Sequence, residues 1–308
     1  MANAISTQSL ATTRKRGGSL HGRDWMQGYF FAAPFLVGFT VFVAFPMLYS
    51  IWLMFQRWDL LSDPVFVGWQ NIVGVLTDER AVKSLANSAF YTVFAVPVQL
   101  AISFLLALAL TQAIKLRSIY RAGFYLPIII PVVATAVVWQ RVFNQDFGIM
   151  NEALGWFGIP PQKWLLDPNL VKPAFIFMSF WMIGRQMVIF VAGLGNIPTQ
   201  LLEASEIDGA SKMRALFSIV IPLMTPLIFY NMVIAIINSF QTFVPALIMT
   251  GGGPQDETLF VVLNIYQQGF QFFNMGFASA LAWELFVIVV GFTIAQFYGS
   301  NRWVHYES

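Results

Sequence analysis

Long stretches of this 308-residue chain carry no charged residue, and this distribution of charge constrains the fold more than any other feature. Four of these stretches are residues 26–56, 84–114, 122–140 and 215–255. Each approaches or exceeds the roughly 20 apolar residues that an α-helix needs to cross a bilayer. Their apolar residues are continuous rather than alternating, which excludes a membrane β-barrel. The pattern predicts an all-α protein with several membrane spans.

Charge is scarce outside these stretches as well, at 10% of all residues, and the mean hydropathy is +0.67. Soluble domains carry about 25% charged residues. We place six spans, at residues 27–55, 85–113, 120–140, 173–195, 223–250 and 275–300. The first is predicted to be a retained span because it exceeds the 7–15-residue apolar core of a signal peptide. Residues 1–24 before it are predicted to form a disordered cytoplasmic tail.

The orientation follows from the bias of Lys and Arg towards cytoplasmic segments. Ten of these residues lie on the side of the N-terminal tail and six on the other side. Both termini and the loop at 198–222 are therefore predicted to be cytoplasmic. Residues 258–273 could form a seventh span, which would move the C-terminus outside. This segment is short and rich in amides and aromatic residues, so we favour a helix lying at the outer interface.

Several classes of site are disfavoured by composition. The chain has no cysteine, which excludes disulfides, thiolate metal sites and cysteine nucleophiles, and its His21 and His305 lie outside the predicted spans. No metal site and no catalytic residue is predicted, and no acid–base cluster supports the alternative of a membrane-embedded enzyme. A self-sufficient channel or secondary transporter is disfavoured by the lack of an internal repeat. The net charge of +2 gives no indication of nucleic-acid binding.

A polar segment at 198–222 separates the fourth and fifth predicted spans. Pro198 should begin a helix at Thr199–Ile207, and Gly209 should end it in a left-handed conformation. Ser211 should cap a second helix that runs from Lys212 towards Pro222. The segment is thus predicted to be two helices joined by a glycine turn.

This helix pair carries side chains that need partners. Glu203 and Glu206 lie where the helix dipole does not favour acids, so Lys212, Arg214 or another protein should hold them. Five apolar side chains should also be buried, either on the protein's own helix ends or in a groove on a partner. They are Ile207, Met213, Leu216, Phe217 and Ile219.

The same segment resembles the EAA motif of permease subunits in binding-protein-dependent ABC importers. That motif reads Glu-Ala-Ala, three residues, Gly, nine residues, then Ile-x-Leu-Pro. This chain matches it at Glu203, Ala204, Gly209, Ile219 and Pro222 and departs from it at Ser205 and Ile221. Three further stretches are similar to the carbohydrate-uptake branch and its MalF/UgpA-like subunit. They are Asp208-Gly209-Ala210, the Gly-Gly-Pro at 252–254, and Gly-Phe-Ala-Ser-Ala at 276–280.

The resemblance implies a type I ABC importer permease fold over residues 25–308, in a bacterial or archaeal cytoplasmic membrane. The partners would be a second homologous permease subunit, two copies of a cytoplasmic ABC ATPase, an extracytoplasmic solute-binding protein and membrane lipid. The cargo would be a sugar or oligosaccharide, moved by alternating access, with an anionic sugar or glycerol phosphate-type solute as the alternative. The residues that dock the ATPase would be Glu203, Ala204, Ser205, Asp208, Gly209 and Ala210.

This chain itself would bind no cofactor. It has no Gly-x-x-x-x-Gly-Lys-Ser/Thr loop with which to hold nucleotide phosphates, so ATP and Mg would bind the partner ATPase.

Polar side chains inside the predicted spans are the candidates for the substrate pathway, because such groups usually face a cavity or a partner. Arg185 and Glu284 could pair and brace the bundle, or Arg185 could line the pathway and bind substrate. Asn231, Asn238 and Thr242 should lie near one face of the fifth span. The full set of candidates is Trp181, Arg185, Asn231, Asn238, Gln241, Thr242 and Glu284.

Overall fold

A computed structural model describes residues 20–112 and 115–305. Its helices are α1 (Leu20–Phe39), α2 (Phe45–Leu53), α3 (Gln70–Thr77), α4 (Glu79–Thr111), α5 (Arg117–Ile129), α6 (Val132–Val142), α7 (Ile149–Gly155), α8 (Val171–Ser179), α9 (Gly184–Gly195), α10 (Thr199–Ile207), α11 (Lys212–Ala215), α12 (Ile221–Phe240), α13 (Val244–Met249), α14 (Val261–Tyr266) and α15 (Met275–Ser300). Two short strands, β1 (Gln56–Arg57) and β2 (Val65–Phe66), pair antiparallel with Gln56 opposite Phe66. The predicted all-α class is confirmed.

The chain divides into two units, residues 1–50 and 51–308. In the first, α1 and α2 are joined by a π-helical turn at Thr40–Ala44. Pro46 lies two residues after this turn and lacks the N–H that an α-helix would direct at residue 42, which explains the local change of helix type. Most of the predicted disordered tail, residues 1–19, lies outside the described residues, and α1 already begins at Leu20.

By length and composition, four to six spans are present in the described residues, and the upper count is the predicted one. Four are long, apolar helical stretches, at Gln27–Leu53, Glu79–Thr111, Lys212–Met249 and Met275–Ser300. The other two are bent pairs, each counted as one span. They are Arg117–Ile129 with Val132–Val142, bent by 101°, and Val171–Met182 with Gly184–Gly195, bent by 45°.

The third predicted span, residues 120–140, is not one continuous helix. It breaks at Ile130, which is extended (φ −72°, ψ 129°) immediately before Pro131. The proline ring clashes with a helical conformation of the preceding residue, so α5 ends there and α6 starts in a new direction. Helix α5 packs on α9, and α6 packs on α13.

The fourth span bends without a proline. A 3-10 turn at Phe180–Met182 ends α8, and α9 begins at Gly184. Gly184 lies so close to α5 that an added Cβ would collide with the backbone carbonyl oxygen of Phe124. The close approach of α5 and α9 at this bend therefore requires glycine at position 184.

Residues 258–273 contain the short helix α14 and a π-helical turn and form no seventh span, and their place at the outer interface stays a prediction. Helix α14 and the π-helical turn at Gln267–Gln271 together are too short to cross a bilayer. Leu259, Phe260 and Leu263 are fully buried, whereas the aromatic side chains at 270, 272 and 273 are exposed. The Asn264 amide donates to Ser84 Oγ at 3.2 Å, whereas Asn264 Oδ1 is buried without a hydrogen-bond partner in the described residues.

Two apolar clusters in the second unit position the space between them. The first contains Phe143, Phe175 and Phe260, and the second contains Met187 and Phe190. Along α4, residues 91 and 95 belong to the first cluster and residues 107 and 110 to the second. The intervening stretch of α4 is the part that faces a cavity.

Segments that the charge distribution assigned to one side of the membrane do meet in the structure. At one end, Lys83 Nζ lies 2.9 Å from Glu257 Oε1, Lys172 pairs with the same carboxylate, and Arg80 Nε lies 3.1 Å from Asp256 Oδ2. The Lys172 hydrogen bond is the main cause that holds the pKa of Glu257 below its usual value.

The other end gathers the segments predicted to be cytoplasmic. Arg121 and Lys212 line one cavity of about 1130 Å³ there. The backbone N–H of His305 donates to Thr225 Oγ1 at 2.9 Å, so the C-terminal residues return to the start of α12. Which end faces the cytoplasm stays a prediction from the charge distribution.

Candidate functional site

A half-open cavity of about 860 Å³, the central cavity, lies among the helices of the second unit. It is lined by α4, the broken third span, the bend between α8 and α9, the end of α12, and α13 to α15. Its polar lining residues are Tyr91, Gln99, Thr135, Ser179, Arg185, Gln186, Asn238, Ser239, Gln241 and Thr242. Apolar side chains complete the wall, among them Met178, Met182, Phe243 and Phe286. Small-molecule binding sites are typically cavities of about this size, with a few polar groups on an apolar wall.

Four of the predicted pathway residues come together in this cavity. The cavity is lined by Arg185 from the fourth predicted span and by Asn238, Gln241 and Thr242 from the fifth. The Arg185 side chain is exposed to the cavity rather than packed. The structure therefore collects a guanidinium, two amides and a hydroxyl around one space.

The end of α12 explains this collection. Helix α12 stops at Phe240, and Phe243 (φ −135°, ψ −64°) separates it from α13. Pro245 lacks the N–H that would bond to the carbonyl of Gln241, so a continuous helix is interrupted there. Thr242 thus lies on the break and not on a helical face, contrary to the prediction of one face for the three residues.

Trp181, Asn231 and Glu284 do not line the cavity. Asn231 is buried, and its Nδ2 donates to Leu227 O at 3.1 Å within its own helix. Trp181 packs edge-on against Trp139, with ring centroids 5.9 Å apart. No ion pair joins Arg185 to Glu284 among residues 20–112 and 115–305, so the bracing hypothesis has no support in this structure.

Six polar lining residues are absent from the predicted set, and two of them, Thr135 and Gln186, have a buried atom without a partner among residues 20–112 and 115–305. Thr135 is 4% exposed, and its Oγ1 has no hydrogen-bond partner within the described part of the chain. Gln186 Oε1 is likewise buried without a hydrogen-bond partner in the described residues. A single hydroxyl within the apolar run 131–139, and an amide directly after Arg185, were the available signals.

The predicted helix pair at 198–222 is confirmed. Helix α10 spans Thr199–Ile207, Gly209 has φ +75°, and Ser211 Oγ accepts a hydrogen bond from the Arg214 N–H at 3.3 Å. The turn is closed by the Ala210 N–H, which donates to Ser205 O at 2.9 Å. Helix α11 then passes through a π-helical turn, Leu216–Val220, into α12 without interruption.

The surface of this helix pair combines acids with large apolar side chains. Glu203, Glu206 and Asp208 are exposed and form no ion pair in the described ranges, so Lys212 and Arg214 do not hold them. Ala204 and Gly209 are exposed too, Ala210 is half-buried, and Ser205 is buried with its hydroxyl donating to Leu202 O at 2.8 Å. Five of the six predicted docking residues are thus at least partly accessible.

The five apolar side chains of the helix pair were predicted to be buried either on the protein's own helix ends or on a partner, and the structure shows both situations. Leu216 packs on the second apolar cluster, and Ile219 is half-buried. Ile207, Met213 and Phe217 are 87%, 62% and 62% exposed. These three form an uncovered apolar surface beside the acids, of the kind that marks an interaction site.

The comparisons with known proteins place these features in context. The family described as "Binding-protein-dependent transport system inner membrane component" matches residues 70–302. The "Probable ABC transporter permease protein YesP" of Bacillus subtilis (strain 168) is 40% identical over 307 residues, which are 98% of this chain and 99% of that protein. The "Probable starch degradation products transport system permease protein AmyD" of Thermoanaerobacterium thermosulfurigenes is 31% identical, over 89% of this chain and 94% of that protein.

A solved structure shares the fold. A chain in the crystal structure of a bacterial alginate ABC transporter, in complex with an alginate pentasaccharide-bound periplasmic protein, superposes with a TM-score of 0.80 at 21% identity. The match covers 91% of this chain and 96% of that chain.

Proposed function

This chain belongs to the family of binding-protein-dependent transport system inner membrane components, and on that premise we propose that it is the permease subunit of an ATP-driven sugar importer. It would carry a sugar or oligosaccharide, delivered by an extracytoplasmic binding protein, across the bacterial cytoplasmic membrane. It would have no enzymatic activity of its own.

One observation carries this proposal: a single helical run connects the exposed helix pair to the cavity. The run begins at Lys212, beside the Gly209 turn, and ends at Phe240. Ala235, Asn238 and Ser239 near its far end line the cavity. At 1.5 Å per residue the run is about 40 Å long. A displacement imposed on the exposed pair would therefore move the cavity wall.

The cavity lining supports a polyhydroxylated cargo. Amides and hydroxyls alternate there with aromatic and aliphatic walls, and sugars offer both hydroxyl groups and apolar ring faces. One relative is named for the transport of starch degradation products, which are saccharides. Both points favour a saccharide.

The exposed helix pair supports an ATPase as the cytoplasmic partner. Acids and uncovered apolar side chains at this end need a complementary surface, and the chain contains no phosphate-binding loop. The proposed assembly has a second homologous permease subunit and two ATPase copies, which bind ATP and Mg. In this assembly the helix pair and both chain termini face the cytoplasm.

A cross-linking experiment tests the proposal directly, because the chain contains no cysteine. Ala204→Cys would be introduced into the whole transporter, purified from the native membrane, and treated with a short bifunctional thiol reagent. We expect a cross-link to a co-purifying ATPase whose yield changes on addition of ATP. Asn169→Cys, exposed at the opposite end, is the matched control and should give no such product. Purification of a chain active in uptake without any ATPase would refute the proposal.

A further inference from the structure

We propose that the central cavity is selective for an anionic saccharide, and that Arg185 binds the carboxylate or phosphate group of this ligand. The inference rests on the proposed transport function and names the substrate class that the cavity would accept.

Arg185 is the only charged side chain among the described residues that line the cavity. The three ion pairs in the described part of the chain all lie at the end that holds Glu257. A guanidinium at membrane depth without a counter-ion is costly, and such groups usually mark a pathway for a charged solute. A ligand with a negative charge would supply the missing partner.

The local backbone favours an anion at the same point. The bend after Met182 restarts the helix at Gly184, so Arg185 and Gln186 lie in the first turn of the 12-residue helix α9. The start of a helix carries partial positive charge and stabilises negative groups. The fork of the guanidinium also matches the two oxygens of a carboxylate or phosphate.

The lining also carries groups that suit the hydroxyls of a saccharide. Gln99, Ser179 and Gln186 contribute amide and hydroxyl side chains to the cavity beside Arg185. Amides and hydroxyls both donate and accept hydrogen bonds, as sugar hydroxyls do.

The opposite wall would recognise the rest of the molecule. Asn238, Gln241 and Thr242 offer both donors and acceptors on the interrupted end of α12, and Phe286 contributes an apolar surface. A neutral saccharide would satisfy this wall but would leave Arg185 without a counter-charge. The combination of both walls therefore distinguishes a charged saccharide from a neutral one.

Uptake by the whole transporter in proteoliposomes, with its binding protein and ATPase, tests the assignment. Three probes are compared: trigalacturonate, the neutral trisaccharide of galactose, and glycerol 3-phosphate. Because the binding protein is the same for every permease variant, a change in preference reports on the cavity. Direct binding of each probe to the detergent-solubilised complex without binding protein gives a second readout.

We expect the wild-type transporter to prefer an anionic probe, and the favoured one identifies carboxylate or phosphate as the group bound. Arg185→Gln should lower uptake of that probe about tenfold or more while leaving the neutral probe unchanged. Arg185→Lys should retain part of the preference because it keeps the charge. Arg141→Gln, an arginine outside the cavity, is the matched control and should behave as the wild type.

A wild-type preference for the neutral trisaccharide would overturn the inference and leave the transport function intact. Equal loss of all three probes in Arg185→Gln, with ATP hydrolysis preserved, would also overturn it and assign Arg185 a structural role. Failure of the loaded binding protein to stimulate ATP hydrolysis in the wild type would instead refute the proposed function itself.

Discussion

The Gly209 turn offers the sharpest test of how the exposed helix pair works. Gly209 has φ +75°, and a Cβ at this position would meet no atom within 4 Å. The cost of a larger residue is therefore confined to the backbone. For an L-residue the left-handed conformation costs about 1–2 kcal/mol, and β-branched residues tolerate it least.

Gly209→Val should consequently reduce the population of the native turn by about fivefold to thirtyfold relative to competing conformations. The turn sets the angle between α10 and the helical run that reaches the cavity. We expect the variant to assemble but to lose most ATP hydrolysis stimulated by the loaded binding protein. Gly209→Asn should be intermediate, because asparagine adopts the left-handed conformation more readily.

Gly158 provides a matched control for this series. It also has a positive φ, +73°, and open space around it, but it lies in the loop after α7. Gly158→Val should carry a similar backbone cost and leave stimulated hydrolysis unchanged. Equal effects of the two valine substitutions on stimulated hydrolysis in proteoliposomes would refute the reasoning, as would full coupling in Gly209→Val.

Two further substitutions address the architecture around the cavity. Gly184→Ala should destabilise the protein by about 1–3 kcal/mol, because the new methyl collides with the carbonyl of Phe124. Thermal unfolding in detergent would measure this, and Gly195→Ala in the same helix has open space and should be neutral or stabilising. Glu257→Gln should lower the melting temperature at neutral pH and remove part of its acid sensitivity, because the hydrogen bond from Lys172 selectively stabilises the carboxylate.

The sign of the acid effect follows from the direction of the shift. The pKa of Glu257 is lowered in the folded protein, chiefly by the hydrogen bond from Lys172. Its contribution to stability is therefore complete above the unfolded-state pKa and is lost as the pH falls through the folded pKa. Melting temperatures measured from neutral pH down into this range should converge for wild type and Glu257→Gln. Curves that stay parallel would contradict this account.

The helix pair was predictable from sequence because its determinants are local. Pro198 allows a helix start, Gly209 ends it, and Ser211 caps the next one, and each of these acts within one turn. No distant contact is needed to set the bounds of α10. The same locality explains why the long apolar helices could be located from composition.

The break in the third span and the buried segment after residue 258 depend on contacts that sequence patterns do not reveal. Pro131 is visible in the sequence, but neighbouring helices decide whether a proline kinks a span or divides it. Asn264 and Gln267 suggested an exposed helix, yet they find partners in Ser84 and Arg80 on a distant helix. The polarity of these two residues therefore reflects hydrogen bonds within the protein and not exposure to solvent.

The residues that line the cavity were only partly predictable from sequence. Arg185 and Asn238 were found because polar groups within spans usually face a cavity or a partner. Asn231 satisfied the same rule through Leu227 in its own helix, and this alternative could not be distinguished by spacing. Thr135 carries no charge or amide and was overlooked.

The buried segment around α14 also determines the order in which the protein can be assembled. The Val261 N–H bonds to Ser88 Oγ, and the Asn264 side chain bonds to Ser84 Oγ, across 173 and 180 residues. Helix α4 must therefore enter the membrane long before the ribosome has synthesised the groups that contact these serines. The segment cannot be inserted by itself, because it is too short to cross the bilayer and too polar to remain among lipid chains. Closure of this end consequently has to wait until residues 261–264 have been synthesised, and until then Ser84 and Ser88 donate only to carbonyls of their own helix.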